Sequence, residues 1–230
     1  MKRQAILFDL DGTLLPMDLD EFVNGYFGLL AKRFSQYDTN QFLAALWKGT
    51  KAMMKNNGEV TNEERFWQSF SQELGPIVLE GKADLDEFYI TDFHQAKAFT
   101  GDNPLSKTIV ALAHERAEHV ILATNPLFPP CAVQSRLSWI GLDLSDFDYV
   151  TTYDNSSYCK PSAAYYQNIC SRFSLEPSQC LMVGNDLLED GVGASGIGMP
   201  VHIVTDSLIP HGLELSDWSH SSFAELEAYL

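Results

Sequence analysis

Phe8-Asp9-Leu10-Asp11-Gly12-Thr13-Leu14-Leu15 closes the first fifteen residues of this 230-residue chain, and its reading decides the fold. The apolar residues just ahead of it, from Ala5 to Phe8, predict a short buried strand. Two aspartates then follow at i and i+2, positions that point to one side of a strand. Asp9 and Asp11 are therefore expected to lie close together where the strand gives way to a loop. Two neighbouring carboxylates repel and raise each other's pKa unless a cation sits between them. A hard, oxygen-seeking ion such as Mg²⁺ is the natural neutraliser. Asp-Gly alone would be an ordinary turn signal. An apolar strand running into Asp-x-Asp-Gly-Thr asks for more than a turn.

Working outward, the composition limits what that strand can belong to. With 45% hydrophobic residues the chain can bury a full core, and its length fits one large domain or two smaller ones. The net charge of −16 argues against binding nucleic acid or an anionic membrane through the general surface. It also means that any phosphate site must carry its own cation. Cys131, Cys159, Cys170 and Cys180 form no C-x-x-C pair or zinc spacing, as expected of reduced thiols in a cytoplasmic protein. The basic start Met1-Lys2-Arg3-Gln4 precedes an apolar run too short for a signal peptide, and no stretch approaches a membrane span.

After Leu15 the periodicity becomes helical. Leu19, Phe22, Val23, Tyr26, Phe27, Leu30 and Phe34 recur on one face, with Asp18 placed to cap it. A second helix is expected from Thr39 or Asn40. A third is expected behind the capping-box sequence Thr61-Asn62-Glu63-Glu64, and a fourth over residues 85–98. Trp47, Trp67 and the many phenylalanines are expected in the core of this bundle. Lys48, Lys51 and Lys55 are expected on a solvated face. From residue 99 the pattern alternates: helices over 105–116, 129–140 and 162–173, a Gly/Ala-rich helix after 183, and a closing helix over 222–229. Strands are expected over 119–123, 147–152, 180–183 and 201–204. Alternating strands and helices predict an α/β fold, a doubly wound parallel sheet covered on both faces, here with an inserted all-helical cap. The expected division is a core of residues 1–14 and 99–230 and a cap of 15–98. In such sheets ligands bind beyond the carboxyl ends of the strands, and the remaining polar clusters each follow a predicted strand.

These clusters are Thr124-Asn125-Pro126, Cys159-Lys160-Pro161 and Gly184-Asn185-Asp186-Leu187-Leu188-Glu189-Asp190. A hydroxyl and a backbone N–H at a strand end can hold phosphate oxygens without adding charge. Asp186 and Asp190 share a face of a helix that begins there, and helix-dipole preference accounts for Glu189. Together with the first run, in this order, the clusters resemble the four motifs of the haloacid dehalogenase-like hydrolase superfamily, whose members are mostly Mg²⁺-dependent phosphatases. The insertion after the first motif resembles that family's C1-type cap.

The resemblance implies specific roles. Asp9 would be the nucleophile that forms an aspartyl-phosphate, and Asp11 the acid and base. Lys160 would bridge Asp9 and phosphate, and Thr124 and the Asn125 N–H would hold phosphoryl oxygens. Mg²⁺ would sit on Asp9, the Asp11 carbonyl and the fourth motif, where Asn stands in the usual place of Asp, so that Asn185 and Asp186 are both candidates. Asp190 would orient water or Lys160. Dehalogenases lack an aspartate at the Asp11 position, so its presence points to a small phosphorylated metabolite as substrate. A phosphotransferase or mutase would use the same residues. A non-catalytic, phosphate-responsive receiver would share Asp, Thr, Lys and Mg²⁺ on a similar sheet, but at about half this length. The loop 151–158, with Asn155 and Tyr158, is a further place where the chain could face the site.

Overall fold

The computed structural model describes residues 2–79 and 81–230. Strand β1 (Arg3–Phe8) is the middle of the molecule. Ala5, Ile6, Leu7 and Phe8 are wholly buried. Side chains alternate across a strand, so Ile6 and Phe8 enter the core on one face while Ala5 and Leu7 enter that on the other. A strand buried on both faces has no polar positions, which is why residues 5–8 are uniformly apolar.

β1 is joined by β2 (Ala117–Leu122), β3 (Tyr149–Val150), β4 (Cys180–Gly184), β5 (Val201–Val204) and β6 (Ser219–Ser221). All pair in parallel, in the order β3-β2-β1-β4-β5-β6. The chain thus winds outward from β1 through β2 to β3, then returns to place β4 on the other side of β1. That reversal opens a crevice beyond the carboxyl ends of β1 and β4, where doubly wound sheets bind ligands. The helices α5 (Ser106–Arg116), α6 (Pro130–Trp139) and α7 (Ala163–Phe173) follow the expected α/β alternation.

Between β1 and α5 lie α1 (Leu19–Arg33), α2 (Thr39–Met54), α3 (Asn62–Leu74) and α4 (Lys82–Ile90). The starts of α1 and α3 are capped as the sequence suggests. Asp18 accepts from the Glu21 N–H at 2.9 Å, and Thr61 and Glu64 form a reciprocal capping box. α2 begins at Thr39 as expected, behind Asp38, which accepts from the Gln41 N–H. Phe22, Phe42, Phe66, Phe70, Phe88 and Phe93 are buried among these helices. Each contributes about 1.5–3 kcal/mol for leaving water.

Several expected elements differ. The helix over 85–98 is α4 followed by a 3₁₀ segment, Asp92–Phe99. The strand over 147–152 pairs only at Tyr149–Val150, although the Asp148 and Thr151 N–H groups still donate to the Val120 and Leu122 carbonyls. The closing helix over 222–229 is a 3₁₀ helix, Phe223–Ala228. β6 was not foreseen: its Ser-His-Ser has no apolar signal, since an edge strand needs none on its exposed side. Lys48 is on the surface, paired with Glu73. Among the described residues no helix is long and apolar enough to cross a membrane.

Candidate active site

Backbone pairing fixes the first carboxylate. The Asp9 N–H donates to the Val183 carbonyl at 2.9 Å, and the Phe8 carbonyl accepts from the Ala123 N–H at 2.7 Å. The end of β1 is thereby held by both neighbouring strands, and Asp9 sits at the crevice floor, 7% exposed. Lys160, fully buried ahead of α7, donates to Asp9 Oδ1 and to Asp190 Oδ1, each at 2.7 Å. A lone buried ammonium would be costly, and two carboxylates offset that cost. Burial opposes the Lys160 charge, but Asp190 and Asp9 hold its proton well above the ordinary lysine range. Burial raises the Asp9 pKa to about 7; Lys160 counters part of that rise, and Asp190 and Asp11 add to it.

Asp190 is equally constrained. Its other oxygen accepts from the N–H groups of Asn185 and Asp186, both at 3.1 Å. The carboxylate lies directly against Gly184, where a side chain would overlap it. The segment behind these residues, Leu187–Val192, is a π-helical turn, a local irregularity often found at functional sites. Asn185 is buried and held at both ends: Thr13 Oγ1 donates to Oδ1 at 2.9 Å and Nδ2 donates to the Ser207 carbonyl at 2.7 Å. The two oxygens of Asp186 are differently engaged. Oδ1 caps the Leu188 and Glu189 N–H groups at 2.8 Å, and Oδ2 faces His211 Nε2 at 2.8 Å.

Asp11 pairs with Arg136, a partner the sequence reading missed. Arg136 lies on α6, is wholly buried, and stacks on Phe128 at 4.3 Å. A signal for it existed: Arg136 follows Ala132 by four and Val133 by three, so a charged residue sits on the buried face of its helix. Asp11 Oδ1 and Arg136 Nη2 are buried without a hydrogen-bond partner.

Thr124 is buried at the end of β2; its carbonyl accepts from Thr151 Oγ1 at 2.6 Å and Tyr165 OH at 3.0 Å. Asn125 Nδ2 donates to both oxygens of Glu189 at 2.9 Å, while Asn125 Oδ1 lacks a partner. Helix-dipole preference does not describe Glu189 well. It lies in the site, where burial raises its pKa to about 8 and the Asp190, Asp186 and Asp9 charges add to the rise against Lys160. The site thus holds five carboxyl groups against two cations, Lys160 and Arg136.

Asp9, Asp11, Thr124, Asn125, Asn185, Asp186 and Asp190 all line one cavity of about 310 Å³, and Lys160 lies directly beneath it. α1 and α2 roof it. Trp47 was expected in the bundle core; it is instead 43% exposed and lines this cavity, as do Phe22, Phe27 and Phe66. Helical periodicity had placed Trp47 on an apolar face, and that face meets the cavity. Trp67 is buried as expected. Asn155 and Tyr158 line a separate groove with Tyr149 and Arg172, away from the cavity.

Among the described residues, no three Asp, Glu, His or Cys side chains are gathered closely enough to hold a metal ion by themselves. Apart from His211, which faces Asp186, the donors lining the cavity floor are nevertheless oxygens: the Asp9 and Asp186 carboxylates and the Asn185 amide. That chemistry suits a hard divalent cation. The unpartnered Asp11 Oδ1 and Asn125 Oδ1 fit a site completed by a ligand or its water.

A family model described as haloacid dehalogenase-like hydrolase matches residues 4–198. No curated protein matches the chain. Among solved structures, the fold is similar to a predicted phosphoglycolate phosphatase from Haemophilus somnus 129pt (22% identity, TM-score 0.60, covering 100% of this chain and 98% of that one). A HAD phosphatase from Thermococcus onnurineus is comparable (20% identity, TM-score 0.61, coverage 100% and 97%). So is L-2-haloacid dehalogenase from Xanthobacter autotrophicus (18% identity, TM-score 0.56, coverage 98% and 97%). At these identities the likeness concerns the fold.

Proposed function

We propose that this chain, which belongs to the haloacid dehalogenase-like hydrolase family, is a cytoplasmic Mg²⁺-dependent phosphatase that hydrolyses a small phosphorylated compound through an aspartyl-phosphate. Residues 1–14 and 99–230 form its α/β core and residues 15–98 its helical cap. The observation that carries this reading is the buried Lys160 bridge between Asp9 and Asp190, set at the switch point beside Asp11.

Asp9 Oδ1 is committed to Lys160, which leaves Oδ2 to attack phosphorus from the cavity floor. As the P–O bond to the alcohol breaks, Asp11 gives that oxygen a proton. Asp11 then takes a proton from the water whose oxygen attacks the aspartyl-phosphate, so that inorganic phosphate leaves and Asp9 is restored. Arg136 keeps Asp11 in place through both steps. Thr124 and the Asn125 N–H hold phosphoryl oxygens, and the Lys160 charge offsets charge on the phosphoryl group. Asp190 keeps Lys160 aimed at Asp9. Asp9, the Asp11 carbonyl, Asn185 and Asp186 would hold Mg²⁺, which would supply positive charge to offset that of the phosphoryl group.

The relatives in this fold include dehalogenases as well as phosphatases. One feature favours phosphate esters. Asp11 provides the proton that an alkoxide leaving group needs and a halide does not. The test is release of inorganic phosphate from p-nitrophenyl phosphate with Mg²⁺ and with EDTA, by the parent chain and by Asp9→Asn. Loss of turnover in both EDTA and the variant is expected. Near-normal turnover by Asp9→Asn rejects the nucleophile assignment, and halide release from 2-chloropropionate without phosphatase activity rejects the reaction.

A further inference from the structure

The floor and the roof of the cavity differ in chemistry. All the carboxylates belong to the floor, whereas α1 and α2 contribute Leu19, Val23, Phe27, Leu46, Trp47 and Met54 to the roof. Among the described residues, the polar groups on the roof side are few, and those of Thr50, Tyr26 and Tyr89 are already engaged. The Thr50 hydroxyl donates to the Leu46 carbonyl at 3.0 Å, and the Tyr26 and Tyr89 hydroxyls are bonded to each other at 2.5 Å. No lysine or arginine lines the cavity among those residues. A polyhydroxylated leaving group entering here would lose its water without gaining partners. A second anionic group would meet no lysine or arginine above the floor, and His211 at the cavity is already turned to Asp186 Oδ2.

The mouth continues the same pattern. Leu19, Trp47 and Met54 are exposed large apolar side chains, 48%, 43% and 46% respectively, and all three line this one cavity. Scattered exposed apolar residues need no explanation; three at one rim, continuous with an apolar interior, mark a ligand-binding surface.

We infer that the substrate is a phosphate monoester of an apolar alcohol, with its phosphate on the Asp9 floor and its hydrocarbon portion between α1 and α2, extending to the rim formed by Leu19, Trp47 and Met54. This specificity rests on the phosphatase reading for its reaction but not for its binding, so the two can be tested apart. Unbranched alkyl phosphates from ethyl to octyl are the probes, because their leaving alcohols barely differ in acidity while their apolar area grows. Two series are measured: kcat/KM for phosphate release by the parent chain, and the dissociation constant for the turnover-deficient Asp9→Asn chain by calorimetry in Mg²⁺.

Both quantities are expected to improve by about fourfold for each methylene that enters the cavity. Octyl phosphate should exceed glucose 6-phosphate and 3-phosphoglycerate by roughly 100-fold or more in kcat/KM. Trp47→Glu, a change at an exposed position, should cost octyl phosphate more than ethyl phosphate. A flat chain-length series, or a preference for glucose 6-phosphate, in an enzyme that still turns over p-nitrophenyl phosphate overturns the inference and leaves the phosphatase standing. A rising binding series without phosphate release from any ester supports the apolar ligand and overturns the phosphatase.

Discussion

Replacing Lys160 by Met should reveal how much of the fold's stability is stored at the site. The ammonium is fully buried and has two charged partners, Asp9 and Asp190, each at 2.7 Å. Methionine fills similar space but leaves two buried carboxylates facing each other without a cation. Breaking a buried pair by removing one partner costs about 3–5 kcal/mol, because the remaining charge is uncompensated. Each kcal/mol corresponds to roughly 2–4 °C in a chain of this size, so Lys160→Met should melt roughly 6–20 °C lower. Thermal and urea unfolding in EDTA is the assay, since a bound cation would partly replace the lost ammonium. The same reasoning makes a second claim. Asp9→Asn removes a carboxyl whose pKa burial raises to about 7, so alone it should change stability little, and in the Lys160→Met background it should recover part of the loss. A Lys160→Met chain that melts within about 2 °C of the parent, with no recovery on adding Asp9→Asn, would refute the account of the site as a buried, mutually compensating charge cluster.

Three further outcomes follow from the geometry. Arg136→Lys keeps the charge but loses the fork that holds Asp11 and stacks on Phe128; kcat should fall by about 10²-fold with KM little changed, checked by steady-state kinetics beside a melting curve. Gly184→Ala should drive a methyl into the Asp190 carboxylate and displace the acceptor of the Asn185 and Asp186 N–H groups, costing about 1–3 kcal/mol in a denaturant titration. His202, buried between Ser219 and Ser221 and stacked on Tyr229, has its pKa held down to about 4 by burial, with His220 adding to the effect. Its contribution is fully present above the unfolded value near 6.5. It is lost as pH falls toward 4, because the unfolded chain takes up a proton that the native state refuses. About 3 kcal/mol should disappear over that window in the parent and not in His202→Gln, as followed by urea titrations at pH 7 and pH 4.

The sequence determined everything that depends on strand ends. In an alternating α/β chain, an apolar run followed by two carboxylates, a threonine or Gly-Asn-Asp places them at the carboxyl edge of a parallel sheet, and there Asp9, Thr124 and Asp190 are found. Lys160 reaches the same edge from the turn ahead of α7. The local caps were legible for the same reason: Asp18 and Thr61 act on N–H groups three residues away. What the sequence left open is whatever depends on one element facing another. Periodicity assigned Trp47 to an apolar face but could not say that the face closes over a cavity. It gave no weight to Arg136, whose only clue was a charge on a buried helical face. It read Glu189 as a dipole effect when Asn125, 64 residues earlier in the chain, holds it in the site. Side chains brought together by tertiary packing exchange water for one another, and that exchange sets their pairing, their pKa values and the shape between them. None of it is encoded in spacing along a single strand or helix.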